Sequence, residues 1–543
     1  MLLQPENQSK KYQTLFNEID EGRVKIPQFQ RSFVWEKEKT AKLIDSLIKG
    51  FPIGTFIFWR TKEELRCVKN VGNANLPETP KGDMTSYVLD GQQRITSLYA
   101  VKKGLVISKD GKQIDYKDIC IDISLDIDTD DEVVGIEPSS KYPSVSVYEV
   151  LNGSIIDFLD RFSKEEVKKI EVYQNRLIGY DFSTIVINDY PIDIACEVFT
   201  RINTGGEELT LFEIMVAKTY DQTRGFDLSK KYECLIEGED DKGKDLKSAN
   251  YDTIPEITVL QCVSACLCQQ IRRQDILKLR KKEFIDIWEQ VKSALFDAVD
   301  YLRSSLRVVV SGLLPYNTLL VPLTYFFFKK KSNGITVHQD KLLTQYFFWA
   351  TFSNRFSSSV EAKITVDLKR IDEILKDSKP TYLNEEVNLN VDILKVHKFA
   401  TGDAFCKGIL CILSYFEPRS FATNGVVILD NSWLKVSTSK NYHHFFPKNY
   451  LKKQGIEEGL ANSVLNITIV DAHINKNEIR AKAPSVYMKK FSMSNSKINV
   501  AMQTHLIDDL INFGIWDDNY TRFLYQRGQR ILQEINQRLY PKF

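Results

Sequence analysis

The sequence predicts an α+β protein of more than one domain, and three observations carry that reading. Short β-prone runs alternate with amphipathic helices through the first 220 residues. A long middle stretch is apolar at helical spacing, and β-branched segments return after residue 426. At 543 residues the chain is too long for one core. We therefore divide it into 1–220, a helical 221–425 and a mixed 426–543.

The first domain begins with Val24-Lys25-Ile26-Pro27, extended because the residue before proline disfavours helix. Glu36 to Lys49 carries Ala41, Ile44, Leu47 and Ile48 on one face, a helix closed by Gly50. Phe51-Pro52-Ile53-Gly54 turns the chain into a strand from Thr55 to Trp59. After a polar loop comes "SYVLDGQQRITSLYA", residues 86–100. Tyr87, Val88 and Leu89 read as a buried strand and Asp90-Gly91 as a break. Ile95, Leu98 and Tyr99 then recur at helical spacing.

Asp90 is placed to cap that helix, with Gln92, Gln93 and Arg94 in its first turn. Helix N-termini favour anions, so Arg94 runs against the usual bias. Two readings stay open: an external phosphate or carboxylate sits between Arg94 and the helix end, or Arg94 pairs with a nearby acid.

Farther on, Ile121, Ile123, Leu125 and Ile127 alternate with polar residues, which predicts a half-exposed strand. The acidic run Asp126 to Glu132 has the composition of a calcium loop but lacks its glycine and distal Glu. Ile194, Val198 and Ile202 mark a helix, followed by Asn203-Thr204-Gly205-Gly206 and a second helix from about Thr210. Paired glycines there allow a nest of free N–H groups, although most such pairs are only turns.

The middle is read as helical, its dense aromatics (Tyr325 to Phe328, Tyr346 to Trp349) as core. Val308 to Phe328 is uncharged and long enough to span a bilayer. Pro315 and Pro322 would break such a helix twice, so a buried helix-turn-helix is expected instead. The net charge of +1 excludes a general polycation, and any nucleic-acid surface must be local. Nine cysteines lack paired CxxC spacing, and the N-terminus lacks an apolar signal region. Together these predict a cytoplasmic protein with reduced thiols and no membrane partner.

In the last domain, "KNYHHFFPKNYL" (440–451) puts two of the six histidines side by side after a β-branched run. Asn466 and then Asn475 follow in "ANSVLNITIV" and "HINKNEIRAKAPSVYM". From Lys435 to Lys490 there are ten Lys and Arg against four Asp and Glu, which suits a polyphosphate.

IPQFQR with a following tryptophan, DGQQR opening a helix, and FxRINTGGxxLT resemble the N-terminal half of GmrSD-like type IV restriction systems. That resemblance implies a ParB/sulfiredoxin-like α/β domain that binds and hydrolyses a nucleoside triphosphate without a P-loop. Position by position it implies nucleotide contacts from Asp90, Gly91, Gln92, Gln93 and Arg94, with Gln30 and Arg31 beside them. Asn203, Gly205 and Gly206, with Arg201 as a neighbour, would form a third wall.

The H–N–N series with HHFFPK and KAPSxY resembles an HNH (ββα-metal) nuclease. It implies His444 as general base, Asn466 as the residue holding the base's loop, and His443 and Asn475 as ligands of Mg²⁺ or Mn²⁺. An acidic residue often stands at 443, and His473 could replace Asn475; Asn462 and Asn477 leave the asparagine assignments open. The implied whole is an NTP-regulated endonuclease that restricts foreign DNA, phage DNA with modified bases or backbone in particular. Two rivals remain: an RNA-cleaving abortive-infection nuclease and a non-catalytic, ParB-like modification reader. The sequence leaves the oligomeric state open, a homo-oligomer included.

Overall fold

The N-terminal part of the chain is built around a six-stranded mixed sheet. Its strand order is Glu6–Lys11, Asp181–Asn188, Phe56–Thr61, Thr85–Asp90, Val24–Pro27 and Cys67–Val68. Phe56–Thr61 pairs parallel with Asp181–Asn188 and antiparallel with Thr85–Asp90, which in turn runs parallel to Val24–Pro27. The uncharged run Tyr87-Val88-Leu89 follows from this central place, since a strand covered on both faces has no polar side. On one face Leu15, Ile44, Leu98 and Ile170, from four helices, close over Phe56, Phe58 and Val88. On the other, Trp59 packs beside Tyr87 with ring centres 5.6 Å apart and donates to the Tyr190 carbonyl at 2.9 Å.

The computed structural model describes the chain apart from residues 1–3, 28–34, 64, 66, 69, 72–73, 76, 81, 110–111, 128–131, 139–141, 203–209, 239–243, 332–333, 383–386, 432–441, 471–473 and 543. The side chains of 67–68, 70–71, 74–75, 108–109, 112, 193, 200 and 475–477 are likewise outside the description. The chain divides into two units, 1–228 and 229–543; the helical segment and the paired histidines both lie in the second.

The period-two run near residue 121 is shorter as a strand than its pattern predicts. Only Cys120–Asp122 is paired. Asp122 accepts from the Ser124 N–H at 2.9 Å, and this local bond turns the chain before the alternation is spent.

In the second unit, helices including Glu256–Cys268, Lys281–Ser304, Leu320–Lys330, Val337–Phe352 and Val360–Leu375 form an aromatic-rich core. Asp367, fully buried, accepts from Arg355 at 2.9 Å, Arg370 at 2.7 Å and Tyr346 at 2.9 Å, and both arginines lie over Trp349. The uncharged segment 308–328 folds as two short 3₁₀ turns followed by the helix Leu320–Lys330. Among the described residues no helix is long and apolar enough to cross a membrane.

The last helix, Tyr520–Leu539, presents Arg527 to the interior, where it donates to the carbonyls of Leu465 and His505. His505 faces the Arg419 carbonyl through Nε2 at 2.8 Å. Burial, reinforced by the Arg527 guanidinium, pushes its imidazole down to about 4. The unfolded chain therefore binds a proton at His505 between pH 4 and about 6.5 that the fold does not. Stability of the second unit should be complete above about pH 6.5 and fall towards pH 4, by on the order of 3 kcal/mol from this group. Urea unfolding at stepped pH should show that loss in the wild type and a shallower one in His505→Gln.

Candidate functional site

The Asp90–Arg94 motif stands at the end of a central strand because the register there breaks. Ile57 pairs with Asp90 but Phe58 with Val88, so Leu89 is an extra residue that turns the strand end. Gly91 follows at φ +91°, and a Cβ there would run into the Phe56 ring. The helix Gln92–Lys103 starts at this glycine, with no side chain capping its N-terminus. Gln92 is buried, Gln93 and Arg94 half-buried.

Arg94 points back under the turn. Its guanidinium donates to the Ile53 carbonyl, to the Thr55 carbonyl at 3.0 Å and to Asp90 at 3.1 Å, and lies 5.0 Å over the Phe56 ring. Gly54, at φ +87°, leaves room for it, since a Cβ there would meet Arg94 Nη1. Burial lowers the Arg94 pKa and Asp90 opposes that shift. Of the two sequence readings, these bonds are those of an arginine paired with a nearby acid. Arg201 is exposed and pairs with Glu197 at 2.6 Å. Gln30, Arg31, Asn203, Gly205 and Gly206 lie outside the described residues.

The paired histidines sit on a two-stranded antiparallel ribbon, Tyr442–His444 against Ile467–Ile469. Neighbouring strand residues leave opposite faces, so the two imidazoles diverge and do not form a chelating pair. His443 is buried and His444 half-buried. His444 Nε2 lies 2.8 Å from Asn462 Oδ1, while Asn462 Nδ2 donates to the Phe399 carbonyl at 3.0 Å. That second bond fixes which end of the carboxamide faces the ring. Oδ1 can only accept, so Nε2 carries the proton and Nδ1 the lone pair. Burial lowers the His444 pKa, the Asn462 bond works the other way, and Lys448 adds to the lowering. The ring is thus neutral, with a basic nitrogen, around pH 7.

Asn466 is fully buried behind the same loop. It accepts from the Phe446 N–H at 2.8 Å and donates to the carbonyls of Phe446 at 2.9 Å and Ala461 at 3.0 Å. Tyr487, the tyrosine of KAPSxY, donates to the Phe445 carbonyl, and Arg527 holds that of Leu465. Asn475 belongs to the π-helical turn Ile474–Ile479 that follows the ribbon; its side chain, and all of His473, lie outside the described residues. Asn462, left open by the sequence, is the partner of His444, and Phe399, 63 residues earlier, is what orients it.

Residues 12–220 match the family model for the N-terminal domain of GmrSD restriction endonucleases. The whole chain is similar to an uncharacterized protein of Methanocaldococcus jannaschii, 24% identical over 95% of this chain and 96% of that protein.

Because Arg94 ties the turn 53–55 to the strand end, Arg94→Ala should destabilise the first unit by about 2–3 kcal/mol. Arg94→Lys should not restore it, since an ammonium cannot reproduce a planar fork. Urea unfolding followed by tryptophan fluorescence reads both. An Arg94→Ala protein of unchanged stability would show that the clamp is unimportant.

Proposed function

We propose that this chain is an NTP-regulated, metal-dependent endonuclease of the HNH type that cleaves foreign DNA, modified phage DNA in particular. The observation that carries this reading is the neutral His444, whose Nε2–H is tied to Asn462 and whose Nδ1 is left as a base. Phosphodiester hydrolysis needs a base for water and a cation at the leaving oxygen. His444 Nδ1 takes the proton of the attacking water, and Asn466 keeps the loop bearing the ring from shifting.

The donor types at His443 and Asn475, an imidazole and a carboxamide, would suit a weakly held Mg²⁺ or Mn²⁺. But His443 is buried on the face of the ribbon opposite His444, so its part as a ligand rests on the resemblance alone. Such an ion would supply charge stabilisation at the leaving oxygen. Basic residues between and after the two strands of the ribbon in sequence, among them Lys448, Lys452, Lys453, Lys482 and Lys489, favour a polyphosphate substrate. Similarity of residues 12–220 to the GmrSD N-terminal domain supports a restriction role. The resemblance of the DGQQR motif adds a nucleotide near Asp90–Arg94, whose state in this reading controls cleavage.

The test is cleavage of modified and unmodified phage DNA, with RNA alongside, with and without each NTP at fixed low salt. The wild type should cut DNA with Mg²⁺ or Mn²⁺, and its rate should fall on an acid limb below pH 6.5, where His444 protonates. His444→Ala should cut about 10²–10⁴-fold more slowly while turning over NTP normally. Normal cutting by His444→Ala would overturn the assignment, and cleavage confined to RNA would overturn the substrate.

A further inference from the structure

Beside the ribbon, a second group of side chains has the make-up of a metal site. His397 closes the short helix Val391–Val396, Asp403 caps the helix Ala404–Tyr415, and Cys406 lies in the first turn of that helix. One donor atom from each lies within 4.8 Å of the others. His397 Nε2 stands 3.4 Å from Asp403 Oδ1, long for a hydrogen bond but close to the spacing of roughly 3.3–3.6 Å between ligands around a tetrahedral zinc. Cys406 Sγ lies 3.6 Å from the Lys398 carbonyl, an ordinary S–H···O contact that a metal-bound thiolate would give up.

The ligands are also oriented. The His397 ring stacks on Phe405, 4.4 Å between centres, which fixes its direction. The Asp403 carboxylate accepts from the Cys406 N–H at 2.8 Å, a second bond of the kind that sets metal-bound carboxylates. Thiolate, imidazole and carboxylate together select a borderline-soft ion, and not the Mg²⁺ or Ca²⁺ that all-oxygen sites take.

The same segment supports the candidate active site. Val464 donates to the His397 carbonyl at 2.9 Å, Phe399 N–H to the Asn462 carbonyl at 2.8 Å, and Asn462 Nδ2 to the Phe399 carbonyl. We propose that His397, Asp403 and Cys406 bind one Zn²⁺, with water as fourth ligand, and that this ion pins residues 397–399 beneath Asn462. Cys406 binds as thiolate and its proton passes to solvent; no electron is transferred. The proposal concerns residues other than His443, His444 and Asn475 and stands independently of the nuclease reading.

The experiment uses the full chain, freed of metal by chelation and titrated with Co²⁺ alone. One equivalent should produce thiolate-to-cobalt charge-transfer absorption, displaced by Zn²⁺ but not by Mg²⁺. The band should vanish in Cys406→Ser and persist in Cys268→Ser, which alters an exposed cysteine elsewhere. Asp403→Asn keeps the helix cap, so it should stay folded by circular dichroism while Co²⁺ affinity drops about tenfold or more. His444→Ala should keep the band, so loss of cleavage and loss of this site are read separately. Absence of the band in the wild type, or its persistence in Cys406→Ser, would overturn the proposal.

Discussion

The carboxamide of Asn466 is the interaction on which the arrangement around His444 depends. It answers both the N–H and the carbonyl of Phe446 and takes the Ala461 carbonyl as well. With those peptide groups satisfied away from water, Phe445 and Phe446 can enter the core, where both pack on Phe523. His444, one residue before them, is thereby held at the edge of that core. A backbone group left unpaired here would cost about 1–3 kcal/mol, so the carboxamide also defines the loop's single conformation.

The half-buried Arg94 of the first unit and the buried Arg527 of the second are spent in similar ways. Arg94 clamps two carbonyls and one carboxylate beneath the Asp90-Gly91 turn, and the described bonds of Arg527 all end on carbonyls. Such a guanidinium joins segments far apart in sequence: the last helix, the end of the 498–504 helix and the 3₁₀ turn Val464–Asn466. Asp367, by contrast, collects two arginines and a tyrosine and stabilises only the helical core. Arginine thus organises the ground on which the ribbon and the turn rest.

Much of this was legible where local rules decide. The helix Lys37–Ile48, the central strand Thr85–Asp90, the helix opening at Gln92 and the helix from Thr210 follow from periodicity, whereas the cap expected of Asp90 does not form and that helix starts uncapped at Gly91. The Arg94 question was posed correctly, but its partners could not be read, because two of them are carbonyls 41 and 39 residues upstream. Backbone acceptors leave no mark in a sequence. Asn462 was one of several asparagines until the Phe399 carbonyl, 63 residues earlier, distinguished it. The strand near Ile121 failed for the opposite reason: a local Asp122–Ser124 bond overrode the alternation. Cys406 carried no motif, since its companions His397 and Asp403 gather only through the turn before the helix Ala404–Tyr415.

The central claim is that His444 is held neutral, with its proton on Nε2 and its lone pair on Nδ1. Nitrogen-15 NMR of the histidine rings at pH 7, with His444 assigned by comparison to His444→Gln, measures this directly. The account predicts a protonated Nε2 and a bare Nδ1. A proton on Nδ1, or a doubly protonated ring at that pH, would contradict it.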